Sequence, residues 1–456
     1  MDAIDTLTAL SPLDGRYAPK LDKLRPIFSE FGLVKRRVEV EIAWLIALCK
    51  EDGIPEATAS EDECRALREI AEQFTEDDAR GVKAIEAKTN HDVKAVEYFI
   101  QEKLTGTPLE SLRPFVHFAC TSDDINNVAY ALMLRDGLAV LRTAQNGLTE
   151  KLTAFAIENR DVAMLAHTHG KPASPTTFGK EMAVFVHRLN RQSAQLDAIQ
   201  LPAKMNGAVG CYNAHVVAYP NVDWEALAKR VIEGFGLTQN VLTTQIEPHD
   251  GMAELFDALC RWNTVLIDLN RDIWTYISMV YLKQKMIKDE VGSSAMPHKV
   301  NPIDFENSEG NLGLANAVLG HMARKLPVSR LQRDLTDSTV LRNIGVGLGY
   351  SLVAYQSTLK GLGKVVINES CLEKDLNQEW EVLAEAVQTI LRKHGSYKAY
   401  DLLKRLTRGK LRMSTKRFRD RVVVISKIAN LPDEVRDDLL ALTPSTYVGL
   451  ASKLVK

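Results

Sequence analysis

Several features that assign a protein to a specialised class are missing from this sequence. The six cysteines are scattered, without the paired spacing of a disulfide framework or a zinc cage. Lysine plus arginine number 57 and aspartate plus glutamate 59, so the charge balance creates no field that draws the whole chain to nucleic acid or an anionic membrane. We find no internal repeat and no low-complexity tract. Any anion-binding site must therefore be local.

The start of the chain also lacks a targeting pattern. Asp2, Asp5 and Asp14 lie within the first 15 residues, which contain no lysine or arginine. A secretory signal has a basic start and an apolar middle, and neither is present. Together with the unpaired cysteines, this predicts a protein of the reducing cytoplasm.

Apolar residues recur at steps of three and four over long stretches, and alternating patterns are scarce, so the sequence predicts an all-α fold. The clearest stripe covers residues 250–286, with Pro248 suited to the first turn of a helix. Four further long helices are predicted at residues 123–157, 176–200, 304–325 and 339–366. Helices of this length usually pack into a bundle, so we expect a central bundle of five.

Shorter helical patterns lie on both sides of the predicted bundle. We expect a helical N-terminal domain over 1–110, the bundle over 111–366 and a helical C-terminal domain over 367–456. Residues 344–349 are apolar or small on every side, which indicates a helix buried all round, yet far short of the ~20 apolar residues of a membrane span. Residues 392–421 hold twelve lysines or arginines and two aspartates, which fits a solvated helical face or, alternatively, a nucleic-acid patch on a non-enzymatic scaffold.

Residues 292–302 combine glycine, two serines and two prolines between helical patterns, which predicts a loop. The loop also carries His298, Lys299 and Asn301, donors and acceptors suited to a charged ligand. His298 is the natural proton-transfer group, and Ser293 or Ser294 a nucleophile or a binding group. The residue types alone do not rank them.

A second loop is predicted at 167–175, followed by a helix with Ser174 as N-cap and Pro175 in its first position. His167 and His169 have the spacing of metal ligands, although no third ligand stands out nearby. With the His-Asp pairs at 91–92 and 249–250, this spacing suggests a helical metal phosphohydrolase as an alternative of another class.

Three further segments suit anions. Residues 90–92 and 121–124 are typical helix starts, and helix capping explains both motifs fully. The free backbone N–H groups of a helix start could equally bind a carboxylate or a phosphate. Arg333 and Arg342 lie on both sides of a hydroxyl-rich helix start, which suits a phosphate cradle, with internal pairing of arginine and aspartate as the alternative. Arg16 and Tyr17 follow a predicted turn, which by itself indicates a surface cation.

Residues 292–302 resemble the GSSxMPxKxNP signature of the fumarase/aspartase superfamily, whose members eliminate fumarate from succinyl-bearing substrates. Other motifs are similar to the branch of that superfamily that acts on succinylated purine nucleotides. They are the segments 11–17, 90–92, 121–124, 168–170, 243–250, 333–342 and 443–449. The resemblance therefore covers essentially the whole chain. It disfavours the argininosuccinate branch, whose substrate has no phosphate for the two arginines.

The resemblance implies a homotetramer with active sites shared between subunits, small-molecule nucleotide substrates, and no cofactor, metal, nucleic acid or membrane partner. It implies that Ser293 is the base, that His169 is the acid, that Glu306 orients His169 and that Lys299 stabilises the charged intermediate. Substrate contacts are implied for Arg16, Tyr17, Asn90, His91, Asp92, Thr121, Ser122, Gln245, Ser294, Asn301, Arg333, Ser338 and Arg342.

Two residues depart from the family pattern. Lys171 stands where glutamine is usual, and a cation beside His169 would disfavour its protonated form. Cys211 stands where asparagine is more common, which we interpret as tolerated variation.

Overall fold

The computed structural model describes residues 5–285, 296, 299–407 and 413–456. The chain divides into two compact units. Unit 1 consists of residues up to 145, 192–264 and 310–356, and unit 2 of residues 146–191, 265–309 and 357–456. Helices dominate both, so the all-α prediction is confirmed. The predicted division into three consecutive domains stays a prediction.

Five long helices supply residues to both units, and the predicted positions are confirmed to within a few residues, apart from the ends discussed below. They are Ser122–Glu158, Phe178–Ala198, Asp250–Ser278, Ile303–Lys325 and Ile344–Leu362. Each carries apolar side chains at helical spacing on a buried face. For example, Leu255, Leu259 and Trp262 of the Asp250–Ser278 helix are at most 1% exposed. Within the described ranges, no helix is long and apolar enough to cross a membrane.

Unit 1 holds eight further helices among the described residues, and five of them begin at a residue whose side chain caps the helix. The eight helices are Arg25–Phe28, Glu30–Cys49, Glu61–Glu72, Glu76–Thr89, Asp92–Leu104, Asn213–Ala218, Trp224–Gly234 and Thr336–Leu341, with 3-10 turns at Ala18–Lys20 and Glu110–Phe115. Ser60 and Thr75 form capping boxes with Glu63 and Asp78, which satisfy backbone donors at two of the helix starts. One apolar core around the fully buried Trp44 joins five of these helices, which are Glu30–Cys49, Glu61–Glu72, Glu76–Thr89, Asp92–Leu104 and Trp224–Gly234. Strands Pro202–Ala203 and Thr238–Gln239 pair in parallel beside it.

Unit 2 combines a smaller helical core with two antiparallel strand pairs. Its helices are Glu369–Gln378, Ala384–Lys393, Ala399–Thr407, Thr415–Ile428, Asp433–Ala441 and Ala451–Leu454, with a 3-10 turn at Trp380–Leu383. Trp380, Phe418 and Val422 lie in their common core. Strand Ala163–Thr168 pairs with Lys171–Thr177, and Leu282–Gln284 pairs with Val365–Ile367.

Two predicted helix ends are wrong, and in both places the chain continues into a strand of the same antiparallel pair. The helix predicted to reach residue 286 ends at Ser278, because Val280 adopts a left-handed conformation (φ 62°) and the Tyr281 amide donates back to the Tyr276 carbonyl at 2.8 Å. The chain then forms strand Leu282–Gln284. The helix predicted over 339–366 is interrupted near residues 342–343 and ends at Leu362, before the strand that pairs with this one.

The predicted N-cap at Ser174 is also wrong. Ser174 and Pro175 belong to strand Lys171–Thr177, and the helix begins three residues after Pro175, at Phe178. Pro175 has no N–H to donate and lies in a two-stranded pair, where a proline is tolerated. Pro175 is paired with Leu165 in the register, so the extended hairpin prevails over the local capping pattern.

Candidate active site

The predicted site residues fall into two sets, each within one unit. Unit 1 contains Arg16, Tyr17, Asn90, His91, Asp92, Thr121, Ser122, Gln245, Arg333, Ser338 and Arg342. Unit 2 contains His169, Lys299, Asn301 and Glu306. Ser293 and Ser294 lie outside the described residues, as does His298.

Arg342 and Asp92, which belong to different motifs, are in contact in unit 1. Arg342 donates to the Asp92 carboxylate at 3.1 Å and to the Ser338 hydroxyl at 2.8 Å. Asp92 also accepts from Arg37 at 2.8 Å, and that arginine side chain is only 2% exposed. Burial favours the neutral acid, but the two guanidinium groups outweigh it and lower the pKa of Asp92 to about 2. Two guanidinium groups therefore share the Asp92 carboxylate, and Glu30 is a further carboxylate that acts on Arg342.

Asn90 and His91 form a tight junction between two helices. Asn90 has a left-handed conformation (φ 52°) and ends the Glu76–Thr89 helix. The His91 ring Nδ1 accepts from the Lys94 amide at 3.1 Å and caps the next helix. Because Nδ1 is an acceptor, Nε2 is the ring nitrogen that carries a proton, and the exposed side chain can offer it to a ligand.

The helix start at residues 121–124 is anchored by a buried ion pair. The Asp124 carboxylate accepts from the Thr121 amide at 2.7 Å and pairs with the Lys204 ammonium at 2.9 Å, and both charged side chains are essentially inaccessible. It also accepts from the Asn206 amide at 3.0 Å. Asp124 is therefore fully used in holding the loop to the helix. Thr121 and Ser122 are half-buried, and their hydroxyls are the groups of this motif left at the surface.

Arg333 is held by a side chain from another predicted motif. Its guanidinium donates to the Gln245 side-chain oxygen at 3.4 Å and lies 3.9 Å from the Asp337 carboxylate. Gln245 in turn donates to the Ala208 carbonyl at 2.9 Å. The structure therefore brings together the 243–250 and 333–342 motifs, which are distant in the sequence.

Arg16 and Tyr17 follow a turn, as predicted. The Gly15 amide donates to the Ser11 carbonyl at 3.0 Å and the Tyr17 amide to the Pro12 carbonyl at 2.9 Å. Arg16 is exposed and Tyr17 half-buried. The turn presents the guanidinium to solvent, which is consistent with both a surface cation and an anion contact.

In unit 2, His169 occupies the turn of a β-hairpin, not the irregular loop that we predicted. Thr168 and Lys171 are the last paired residues, and His169 and Gly170 connect them with φ angles of 55° and 72°. Two consecutive residues with positive φ are typical of the tight turn that matches the twist of a hairpin. His169 and Lys171 are both exposed, so the hairpin presents an imidazole and an ammonium at its tip.

Lys299, Asn301 and Glu306 lie at the start of the Ile303–Lys325 helix. The Lys299 amide donates to the Met296 carbonyl at 3.0 Å, and the Gln284 side chain donates to the Val300 carbonyl at 2.9 Å. The exposed Glu306 carboxylate accepts from the Trp274 indole at 3.1 Å. Its predicted partner was His169, and that pairing stays a prediction.

From the sequence we assigned no role to several buried charged residues beside the unit 1 set, and we considered His249 only as a possible metal ligand. The others are Arg37, Lys204, Glu247 and Asp337. A signal existed for Arg37, because it interrupts an otherwise apolar helix face, where a charge requires a partner. The other contacts join residues far apart in the sequence, and no local pattern predicts them.

The histidine-aspartate pairs that suggested a metal enzyme have other partners here. His91 caps a helix, Asp92 binds two arginines, and the imidazole of His249 is buried among carboxylates. Within the part of the chain that the structure describes, no group of three or more potential ligands could hold a metal ion.

Comparison with known proteins finds relatives that match nearly the whole chain. A family model described as Lyase matches residues 15–320, and one described as Adenylosuccinate lyase C-terminal matches residues 329–448. Curated adenylosuccinate lyases of Escherichia coli and Haemophilus influenzae are each 52% identical to the chain, over 455 and 458 residues, with 99% of each chain covered.

Two solved structures share the fold at low sequence identity. A 3-carboxy-cis,cis-muconate lactonizing enzyme from Pseudomonas putida has a TM-score of 0.73 at 22% identity and covers 95% of this chain and 94% of its own. A fumarate lyase from a Mesorhizobium species has a TM-score of 0.74 at 21% identity and covers 95% and 96%. The helical fold and the match to the Lyase model define a fumarate-releasing lyase of the fumarase/aspartase superfamily. Given curated relatives at 52% identity over 99% of its length, the chain belongs to the adenylosuccinate lyase family.

Proposed function

We propose that the chain cleaves adenylosuccinate to AMP and fumarate, and the imidazole precursor SAICAR to AICAR and fumarate. The observation that carries the proposal is the pair of arginines on segment 333–342. Arg333 is positioned by Gln245, and Arg342 by Ser338 and Asp92. Two guanidinium groups held in this way suit the multiple oxygens of a phosphate. Both proposed substrates carry that phosphate.

The energy of binding a group far from the reacting bond, such as the phosphate, can be used to orient that bond. We assign the phosphate and nucleotide to Arg16, Tyr17, His91, Arg333, Ser338 and Arg342, with Asn90 and Asp92 supporting them. Thr121, Ser122, Gln245, Ser294, Asn301 and Lys299 are assigned to the succinyl group. This division is supported by the anchored helix start at 121–124 and by the two guanidinium groups that pair with Asp92.

The reaction breaks one C–H and one C–N bond. Ser293 removes a proton from the carbon next to a succinyl carboxylate, the electron pair forms the C=C bond of fumarate, and the C–N bond breaks as His169 protonates the departing nitrogen. A positioned acid typically contributes about 10² to 10⁴ in rate. Lys299 faces the additional negative charge that develops on the carboxylate, and a donor of this kind contributes on the order of 10² to 10³. Glu306 is assigned to orienting His169.

We further propose a homotetramer that works in the cytoplasm. Exposed apolar side chains lie on the long helices, which supports packing against other copies. They are Ile157, Val184, Trp274, Ile303 and Leu314, each at least 40% exposed. All six cysteines are free thiols, which fits a reducing compartment.

One absorbance assay tests the function. Purified protein is mixed with adenylosuccinate, with SAICAR or with argininosuccinate, each with and without a chelator. We expect loss of the first two substrates at rates that the chelator leaves unchanged. Turnover of argininosuccinate alone would identify another branch of the superfamily. Phosphate release that the chelator abolishes would support the metal phosphohydrolase.

A further inference from the structure

Unit 1 contains a buried histidine that the proposed chemistry does not use. It lies close to Asp337 of segment 333–342. His249 is 1% exposed and immediately precedes the Asp250–Ser278 helix. Neither ring nitrogen makes a hydrogen bond within the described residues. A buried imidazole without hydrogen bonds is costly unless neighbouring charges stabilise its charged form.

Carboxylates face this ring from three segments. Its Nε2 lies 3.8 Å from Asp337, and its Nδ1 lies 4.0 Å from Glu247. The Glu247 carboxylate also accepts from the His249 backbone amide at 2.7 Å, and the Glu247 amide donates to Asp123 at 3.2 Å. The positive charges nearby are Lys204, which compensates Asp123 and Asp124, and Arg333. Asp250, next in the chain, is exposed.

Asp337 is shared between His249 and Arg333. One of its carboxylate oxygens faces His249 and the other faces the Arg333 guanidinium at 3.9 Å. When His249 carries a proton, its charge compensates Asp337. When His249 is neutral, Arg333 is the nearest cation left to compensate Asp337, and this attraction competes with any external anion.

We propose that His249 is a positioning residue whose imidazolium neutralises Asp337 and so leaves the charge of Arg333 available to the phosphate of the substrate. This inference rests on the phosphate role proposed above for Arg333. His249 does not touch the substrate. It sets how strongly the cradle attracts an anion.

The direction of the pH dependence follows from the surroundings of the ring. Burial disfavours the charged imidazole, but Asp337, Asp123 and Glu247 outweigh burial and raise the pKa of His249 above its ordinary value. The imidazolium therefore persists to a higher pH than that of an ordinary histidine and is lost as the pH rises past that raised pKa. KM for adenylosuccinate should rise over the same alkaline range. The phosphate is already a dianion above about pH 7 and adds no trend of its own there.

The test measures KM and kcat for adenylosuccinate between about pH 7 and 9. His249→Gln should raise KM at pH 7 about tenfold, the size of one charge interaction in a half-buried site, and leave kcat within about twofold. Its KM should no longer rise with pH. Adding Asp337→Asn to this variant should restore a low KM, because the charge that His249 compensated is gone. A merely structural role for His249 would not be rescued in this way.

Asp337→Asn alone keeps the proposal testable even if His249→Gln fails to fold. With Asp337 uncharged, Arg333 is available whatever the state of His249, so KM should stay low and independent of pH. The matched control is His215→Gln. His215 is equally buried in the same unit, but it packs among aromatic rings and burial lowers its pKa to about 4, so it is neutral throughout the range. That variant should keep the parental pH trend.

Three outcomes would overturn the inference. They are an unchanged KM in His249→Gln, a raised KM that Asp337→Asn does not lower, and a parental alkaline trend in Asp337→Asn alone. Arg333→Ala distinguishes a failure of the role proposed for His249 from a failure of the phosphate role proposed for Arg333. If it raises KM while His249→Gln does not, only the inference fails. If Arg333→Ala leaves KM unchanged, the proposed phosphate role fails and the inference with it.

Discussion

The two units hold their candidate residues in different ways. In unit 1, Asp92, Asp124 and Arg333 are tied to neighbours by ion pairs and hydrogen bonds that involve buried side chains. In unit 2, His169 and Glu306 are exposed, one at a hairpin tip and the other at a helix start. Prebuilt charge suits the binding of a fixed anion. Groups that transfer protons need a dry environment, which the proposed assembly would supply when other subunits cover them.

The largest effects are expected from the catalytic set. Ser293→Ala should lower kcat by roughly 10³ or more, and His169→Ala by about 10² to 10⁴, while substrate still binds, because these groups act in the transition state. Ser294→Ala is the matched control and should be milder. Single-turnover kinetics with a separate binding measurement check this. Equal losses in both serine variants, or a larger loss at Ser294, would reverse the assignment of the base.

Mixing two inactive variants tests whether the His169 and the Ser293 of one site come from different subunits. His169→Ala and Ser293→Ala proteins are dissociated, combined and reassociated. If the two residues of a site come from different chains, random equal mixing gives about a quarter of sites with both intact. Each variant treated alone must stay inactive. Verified hybrids without recovered activity would mean that the two residues share a chain or are not the catalytic pair.

An intermediate effect is expected in the binding set, and mainly on KM. Arg333→Ala and Arg342→Ala should each raise KM by roughly tenfold or more, since a charge-assisted hydrogen bond contributes about 1.5 to 3 kcal/mol. Lysine variants should recover only part of this, because they lack the forked donor geometry. Steady-state kinetics decide the point. If both alanine variants keep the parental KM, the phosphate lies elsewhere.

The smallest kinetic effect is expected from a change that weakens unit 1 away from the candidate site. Ser60→Ala removes one capping box and should destabilise the Glu61–Glu72 helix by about 1 kcal/mol. KM and kcat should stay within about twofold of the parent, while thermal unfolding occurs at a lower temperature. A large rise in KM in Ser60→Ala would show that general destabilisation of unit 1 raises KM. The rise in the arginine variants would then be no evidence for a lost phosphate contact.

Local patterns predicted what depends on neighbours in the sequence. The apolar stripe through Leu255 and Trp262 located a long helix, and the residue types at 90–92 located a helix start that His91 indeed caps. The stripe failed at Val280, because an apolar residue satisfies a helical pattern even when its backbone is left-handed. The strand pairing that follows is decided by residues about 80 positions later in the chain.

The candidate site shows the same limit. Motifs identified Gln245 and Arg333 separately, but only the fold shows that they touch. From the sequence we treated His249 as part of a motif and Asp337 as part of a helix start. We did not predict that they lie close together, because they are 88 positions apart in the sequence. The environment of a buried charge is set by non-local packing, and a residue type alone does not reveal it.

At the hairpin turn, the residue that best suits the backbone differs from the residue that the proposed catalysis requires. A left-handed backbone is natural for glycine and costs a side-chain-bearing residue about 1 kcal/mol or more, yet position 169 carries an imidazole at φ 55°. A sequence selected for heat tolerance alone would favour glycine there. We therefore expect His169→Gly to unfold at a higher temperature than His169→Ala, with both inactive. At position 169, thermal stability favours glycine, whereas the proposed catalysis requires histidine.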